Sequence, residues 1–262
     1  MDVFLFLCDA RIPGTSVKLA GPFLTRSKRV YILAKPDLAE PRLTAAWLEH
    51  FRSREMPAFA VDCSSGDGMD GLLSHLRRRK EEMDLKRPQG TTERPLRLML
   101  FGPPNVGKSS LANRLLGTQK APFGAKPGLT RGSHWLRGRG FLEVLDTPGV
   151  VETAQVKGDA KLKLAAVWAL AETRYDAGDL ALWLARKVMT AHGHEAPSED
   201  DNPALEFVTE FGRQRGFLRH GGIVDLDRAC KAFIHAFREG KLGRISLEEP
   251  PVAVTKDNTI TP

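Results

Sequence analysis

The sequence predicts an α/β protein in which a mostly parallel sheet carries a phosphate-binding loop and a small all-α domain follows. Three observations predict it. Short apolar runs alternate with amphipathic stretches over the first third of the chain. The segment Gly102-Pro103-Pro104-Asn105-Val106-Gly107-Lys108-Ser109 joins an apolar run to a helical one. Beyond about Gln155 strand signals vanish, and apolar residues recur only every three or four positions.

The elements follow in order. Met1 to Asp9 contains the apolar run Val3 to Leu7, which stops too early for a signal peptide or a membrane span and reads as a buried strand. Pro13-Gly14-Thr15-Ser16 reads as a loop. Arg29 to Leu33 is a second strand and Pro57 to Val61 a third. Between them Leu43, Trp47, Leu48 and Phe51 mark a helix. A basic helix over Leu72 to Met83 leads into a polar linker at about 84–95. Leu96 to Phe101 is the strand before the phosphate loop, and Ser110 to Leu116 the helix after it. A hairpin-like pair surrounds Gly138-Arg139-Gly140 and ends in the strand Phe141 to Leu145. These elements assign a first domain to 1–154, a helical domain to 155–249 and a mobile tail to 250–262.

At 262 residues the chain is long enough for one large core and an appendage. The formal charge of +7 favours an anionic macromolecular partner. Cys8, Cys63 and Cys230 are odd in number and form no Cys-x-x-Cys pair, which excludes the usual zinc and redox motifs and points to a reducing compartment. The expectation is a cytoplasmic protein with no membrane association.

The phosphate loop has the spacing Gly, four residues, Gly-Lys-Ser, at a strand-to-helix junction where that spacing has mechanical meaning. Its backbone N–H groups, from Asn105, Val106, Gly107, Lys108, Ser109 and Ser110, face phosphate oxygens at a helix N-terminus. Lys108 reaches the terminal phosphates and Ser109 binds Mg. Asp146-Thr147-Pro148-Gly149 closes a later strand, where Asp146 joins the Mg shell through water and the Gly149 N–H meets the γ-phosphate. Thr130, within Pro127-Gly128-Leu129-Thr130-Arg131, completes Mg coordination when triphosphate is bound. The catalytic set is Lys108, Thr130 and Gly149.

Base choice comes from upstream. In Ala34-Lys35-Pro36-Asp37 the carboxylate of Asp37 accepts both donors on guanine's pairing edge, and the stem of Lys35, with Pro36 beside it, covers the base. Asp62, Cys63 and Ser64 follow the third strand, and a backbone N–H from this turn is expected near the guanine carbonyl. A base motif preceding the phosphate loop marks a circularly permuted P-loop GTPase domain.

Together these residues resemble the ribosome biogenesis GTPase A family, also called YlqF-type, and its mitochondrial relatives. The resemblance rests on Asp9-Ala10-Arg11-Ile12-Pro13, Lys35 and Asp37, the phosphate loop, Pro127 to Arg131 and Asp146 to Gly149 in permuted order. It continues through Gly221-Gly222 and Lys241 to Glu248. It implies a GTP-hydrolysing factor for late maturation of the large ribosomal subunit, stimulated by the maturing particle. It departs at Ala34, where the family usually carries an Asn that bonds guanine and ties it to the phosphate loop. In related GTPases the residue at Asn105 can coordinate potassium, which would act at the developing phosphate charge.

From Phe211 to Ile245 the basic residues are Arg213, Arg215, Arg219, Arg228, Lys231, Arg238, Lys241 and Arg244, against Asp225, Asp227 and Glu239. This excess suits rRNA phosphates, with Phe217 and His220 available for stacking. Leu226, Cys230, Phe233, Ile234 and Phe237 read as core. The expected partners are the large-subunit precursor and its rRNA, bound by a monomer. The alternative is an RNA-binding adaptor with weak nucleotide binding and little hydrolysis.

Overall fold

The computed structural model describes residues 1–19, 28–117, 134–137, 140–146, 155–194 and 202–251. Its described strands are β1 (Val3–Asp9), β2 (Arg29–Ala34), β3 (Ala58–Val61), β4 (Leu96–Phe101), β5 (His134–Arg137) and β6 (Leu142–Asp146). They form one sheet in the order β3-β2-β1-β4-β6-β5, parallel throughout except for β5, which runs antiparallel to β6. The strand order reverses between β1 and β4. Parallel sheets bind ligands beyond the carboxyl ends of their strands at such a reversal.

Period-two alternation in β1 serves two faces. Leu5 and Leu7 join Ile32, Leu98 and Leu100 on one face, under α3 (Met69–Leu85) and α4 (Lys108–Leu116). Phe6 and Cys8 join Tyr31 and Leu33 on the other, under Trp47 and Phe51 of α2 (Pro41–Arg52). A strand buried on both faces explains the unbroken apolar run. Each fully buried aliphatic side chain stabilises the fold by roughly 1.5–3 kcal/mol relative to exposure. The α3 pattern is Met69, Leu72, Leu76 and Lys80, one buried stripe whose last member is a lysine paired with Asp84 and, at 2.9 Å, with Glu93. These pairs fasten the linker to the helix that precedes it.

A short helix, α1 (Pro13–Lys18), replaces the expected loop at Pro13 to Ser16. Proline suits its first position, and Ser16 Oγ donates back to Ile12 O at 2.9 Å. The first-turn amide of Thr15, which lacks an intrahelical acceptor, donates to the Glu248 carboxylate at 3.0 Å. That partner is 233 residues away.

Four further helices pack around Phe233: α5 (Gly158–Ala166), α6 (Ala177–Ala191), α7 (Asn202–Gln214) and α8 (Leu226–Arg238). Phe207 and Phe211 meet the Phe233 ring edge-on at centroid distances of 6.0 and 5.1 Å. Asp176 and Asp225 cap α6 and α8 by accepting from Asp179 N–H and Arg228 N–H. Cys230, Phe233, Ile234 and Phe237 are core as expected, whereas Leu226 is 40% exposed because it opens α8 on the solvent side. Arg238 also departs from expectation. It is 3% exposed and caps the end of α5, donating to Ala165 O at 2.7 Å, Ala166 O at 3.3 Å and the Tyr175 hydroxyl at 2.9 Å. No described helix is long and apolar enough to cross a membrane.

Candidate nucleotide-binding site

The carboxyl ends of β1, β2, β3, β4 and β6 deliver Asp9, Lys35, Asp62, Gly102 and Asp146 to one edge of the sheet. Between β4 and α4 the backbone curls through Gly102 (φ 151°), Asn105 (φ 57°) and Gly107 (φ 109°). Left-handed residues interspersed in a turn gather N–H groups into a concavity that suits an anion. Gly102 has a second reason to lack a side chain: a Cβ there would lie 2.5 Å from Leu7 O of β1. Lys108 Nζ donates across the loop to Gly102 O at 3.0 Å and Pro103 O at 2.8 Å. Its ammonium therefore sits at the mouth of the concavity, where phosphate oxygens would replace two carbonyls.

Lys35 takes a left-handed backbone (φ 57°) before the 3-10 turn Pro36–Leu38, which exposes Asp37. Lys35 Nζ donates to Asn105 O at 2.8 Å and lies 3.7 Å from the Asp9 carboxylate. Base motif and phosphate loop are thus tied by a side chain. Burial lowers the Lys35 ammonium's pKa, and the neighbouring Asp9 charge opposes that shift. Asp9 is itself buried beside Arg11, which bonds it through Nε at 2.9 Å and Nη2 at 3.0 Å. Burial alone would raise Asp9, but the charges of Arg11 and Lys35 and the hydrogen bonds from Arg11 hold its carboxyl below the ordinary range. Asp37 shifts the other way, raised first by desolvation and then by the charge of Asp62. A carboxylate short of donors is suited to meet the two N–H groups of guanine.

The turn after β3 is held from within. Asp62 accepts from Ser64 N–H at 2.7 Å and Ser65 N–H at 3.3 Å, and Asp62 O accepts from Gly66 N–H at 2.9 Å. Gly68 (φ 81°) closes it, where a Cβ would sit 1.9 Å from Ala60 O. Burial pushes the Cys63 thiol up to about 11, so it acts as a small half-buried group and not as a nucleophile.

The helical elements reach this edge at two places. Asn105 Nδ2 donates to Trp168 O at 2.8 Å, and Trp168, left-handed at φ 66°, lies beneath the Arg238 guanidinium, 5.1 Å from its ring centroid. Further along, Arg244 donates to Ala39 O at 3.0 Å and Pro36 O at 2.8 Å, and Ile245 N–H donates to Leu38 O at 3.1 Å. Arg244 thereby brackets Asp37 with backbone bonds while remaining exposed.

The family described as 50S ribosome-binding GTPase matches residues 97–213. A protein named Ribosome biogenesis GTPase A, from Priestia megaterium, is 32% identical over 262 residues, covering 97% of this chain and 91% of the relative. The chain belongs to the ribosome biogenesis GTPase A family. Members from Bacillus cereus and Thermotoga maritima are 31% and 29% identical over 95% and 92% of this chain. GNP-bound YlqF from T. maritima superposes with a TM-score of 0.69 at 25% identity, covering 95% of this chain and 93% of that one. The GDP-bound form gives 0.70 at 26% identity. As a member of the ribosome biogenesis GTPase A family this protein is a GTPase and binds guanine nucleotide, and its P-loop α/β fold is the one expected.

Of the residues singled out in the sequence, the structure brings Lys35, Pro36, Asp37, Asp62, Cys63, Ser64, Asn105, Val106, Gly107, Lys108, Ser109 and Ser110 to the same edge. Asp146 ends β6 in register with Leu100 of β4. Thr130 and Gly149 lie outside the described residues, as do the rest of 127–131 and 147–150. Sequence reasoning assigned no nucleotide-site role to Asp9, Arg11, Arg114 or Trp168, and placed Arg244 on the basic rRNA face. Asp9 and Arg11 carried a signal as charges set two apart at the end of an apolar strand.

Proposed function

We propose that this GTPase is an assembly factor for late maturation of the large ribosomal subunit, cytoplasmic and monomeric, which binds rRNA in a nucleotide-dependent way. Residues 1–154 form the permuted GTPase domain and 155–249 the helical rRNA-binding domain, while the tail expected at 250–262 lies, beyond Pro251, outside the described residues. The observation that carries the reading is the double engagement of Asn105. Its carbonyl receives Lys35 of the base motif, and its amide holds Trp168 at the start of the helical elements. A change in the phosphate loop is thereby transmitted to both partners.

In this reading the loop amides of Asn105 to Ser110 bind the phosphates, Lys108 leaves the Gly102 and Pro103 carbonyls for the terminal phosphates, and Asp37 and the turn at Asp62, Cys63 and Ser64 select guanine. Ser109 lies in the first turn of α4, and with Asp146 and Thr130 it gives a hydroxyl-and-carboxylate set that fits Mg, Asp146 acting through water. Bound Mg would neutralise charge on the transferred phosphoryl group. Asn105 is also the potassium candidate. Gly149 N–H meets the γ-phosphate. Phosphoryl transfer then rests on positioning and charge supplied by Lys108, Thr130 and Gly149.

The rRNA surface is formed by Arg213, Arg215, Arg219, Arg228, Lys231 and Lys241. Arg238 is withdrawn from it, buried against the Ala165 carbonyl, while Arg244 stays exposed with its guanidinium engaged by the Pro36 and Ala39 carbonyls. Exposed Leu218 and Ile223 flank the turn at Gly221-Gly222, beside the Arg228 guanidinium stacked 4.4 Å from the Phe217 ring centroid. Phosphate release from GTP should rise when purified large subunits are added, and rise further in potassium than in sodium. Rates that ignore both additions would remove the proposal.

A further inference from the structure

The turn that follows β3 has an anchor that the base-recognition motifs do not include. Arg114, on the exposed side of α4 two turns beyond the phosphate loop, sends Nε and Nη2 to Cys63 O at 3.2 and 3.0 Å, and Nη2 also to Ser64 O. Its guanidinium lies against Gly66, where an added Cβ would stand 3.5 Å from the Arg114 Cζ.

These bonds combine with those of Asp62. A trans peptide points its C=O and N–H in opposite directions. The Cys63–Ser64 peptide gives its C=O to Arg114 and its N–H to Asp62, and the Ser64–Ser65 peptide does the same. Both planes are therefore gripped at both ends. The preceding peptide has its C=O bonded to Gly66 N–H, while the Cys63 N–H meets no protein acceptor among the described residues. It is the donor of this turn left to a ligand.

We propose that Arg114 is a positioning residue for base selection: by holding the Cys63 and Ser64 carbonyls to the phosphate-loop helix, it sets the Cys63 N–H at the distance from the phosphates where the C6 oxygen of guanine lies. The inference rests on the guanine site described above. It assigns a role that the short side chain of Ala34 leaves open, since a buried methyl group can tie nothing to the phosphate loop. Lys35 provides that tie on the Asp37 side, and Arg114 provides it on the Cys63 side.

The test is nucleotide discrimination, which a merely structural arginine would not shift selectively. Dissociation constants are measured for GDP, for 6-thio-GDP, which changes only the C6 acceptor, and for IDP, which lacks only the amino group facing Asp37. Wild type should prefer GDP over 6-thio-GDP by about tenfold, the size of one neutral hydrogen bond. In Arg114→Met that ratio should fall toward one while the GDP-to-IDP ratio stays at its wild-type value, and Arg114→Lys should lie between. Thermal melts of both variants check folding. If wild type discriminates and Arg114→Met keeps the full ratio, or loses both ratios equally, Arg114 does not position the turn. If wild type binds all three nucleotides alike, the base site itself is misassigned and the role of Arg114 falls with it.

Discussion

Replacing Arg11 by methionine should weaken the joint between the sheet and the helical elements. Arg11 is 1% exposed. It makes two side-chain bonds to Asp9, a third at 3.4 Å to Phe237 O on α8, and stacks 5.1 Å from the Phe237 ring centroid. Methionine fills much of the volume but leaves the buried Asp9 carboxylate only the residue-11 backbone N–H, 3.1 Å away, and Lys35, 3.7 Å away. Removing one member of a buried ion pair destabilises by about 3–5 kcal/mol. At about 2–4 °C per kcal/mol for a chain of this size, the melting temperature should fall by roughly 6–20 °C.

The pH dependence has a definite sign. Because the folded Asp9 pKa is depressed, its contribution is present above the unfolded value of about 3.9 and is lost as pH falls through the folded value. The gap between wild type and Arg11→Met should therefore be full at pH 7 in urea titrations and narrow in acid. The double variant Asp9→Asn/Arg11→Met removes the stranded charge and should recover part of the loss. A single variant within about 1 kcal/mol of wild type, or a double variant no more stable than the single, would refute the reasoning, since only an uncompensated buried charge predicts both results.

Other expectations follow from the same contacts. Asp37→Asn should weaken GDP binding at least about 100-fold, given about 1.5–3 kcal/mol for each hydrogen bond to a charged group, and should favour xanthosine diphosphate, whose C2 carbonyl accepts from the new amide. Wild-type GDP affinity should fall as pH drops through a carboxyl value above the ordinary range, because the raised Asp37 must be ionised to accept both guanine donors; titration by fluorescence competition reads both effects. Gly68→Ala places a Cβ 1.9 Å from Ala60 O on a left-handed backbone, so GDP affinity and melting temperature should drop together in binding and thermal assays. Glu248→Ala strands the Thr15 amide and leaves Lys163, which lies 3.3 Å from that carboxylate, with Asp159 as its remaining carboxylate, and should lower stability by about 1–3 kcal/mol in urea titration without changing the GDP-to-IDP preference.

What the sequence revealed was what is local. The phosphate loop, the three leading strands and the helix α2 over Pro41–Arg52 are each written within a dozen residues by spacing, periodicity and turn chemistry. So is the permuted order, which needs only the position of one motif relative to another. The remainder depends on partners far along the chain. Pro13 to Ser16 reads as a loop until Glu248 supplies an acceptor for its first turn. Arg238 and Arg244 look like members of a basic face because composition does not reveal that backbone carbonyls from α5 and from the base motif await them. Leu226 fits the apolar stripe of α8 but sits at its first turn, where the stripe runs out into solvent. The contact of Asn105 with Trp168 had no signal at all, since its acceptor is a backbone oxygen that every residue possesses.

The segment from Arg244 to Glu248 acquires a different significance when the chain is considered in the order of its synthesis. It bonds residues 11, 15, 36, 38 and 39, and Trp47 Nε1 donates to Glu248 O. A growing polypeptide lengthens by about 5–20 residues per second, so the strands that read the base emerge roughly 10–50 seconds before the segment that braces them. During that interval the early strands gain their neighbour β4 (Leu96–Phe101) but still lack their brace. Permutation thus places the nucleotide site under a temporal rule: guanine cannot be held in its finished setting until nearly all of the protein has been made.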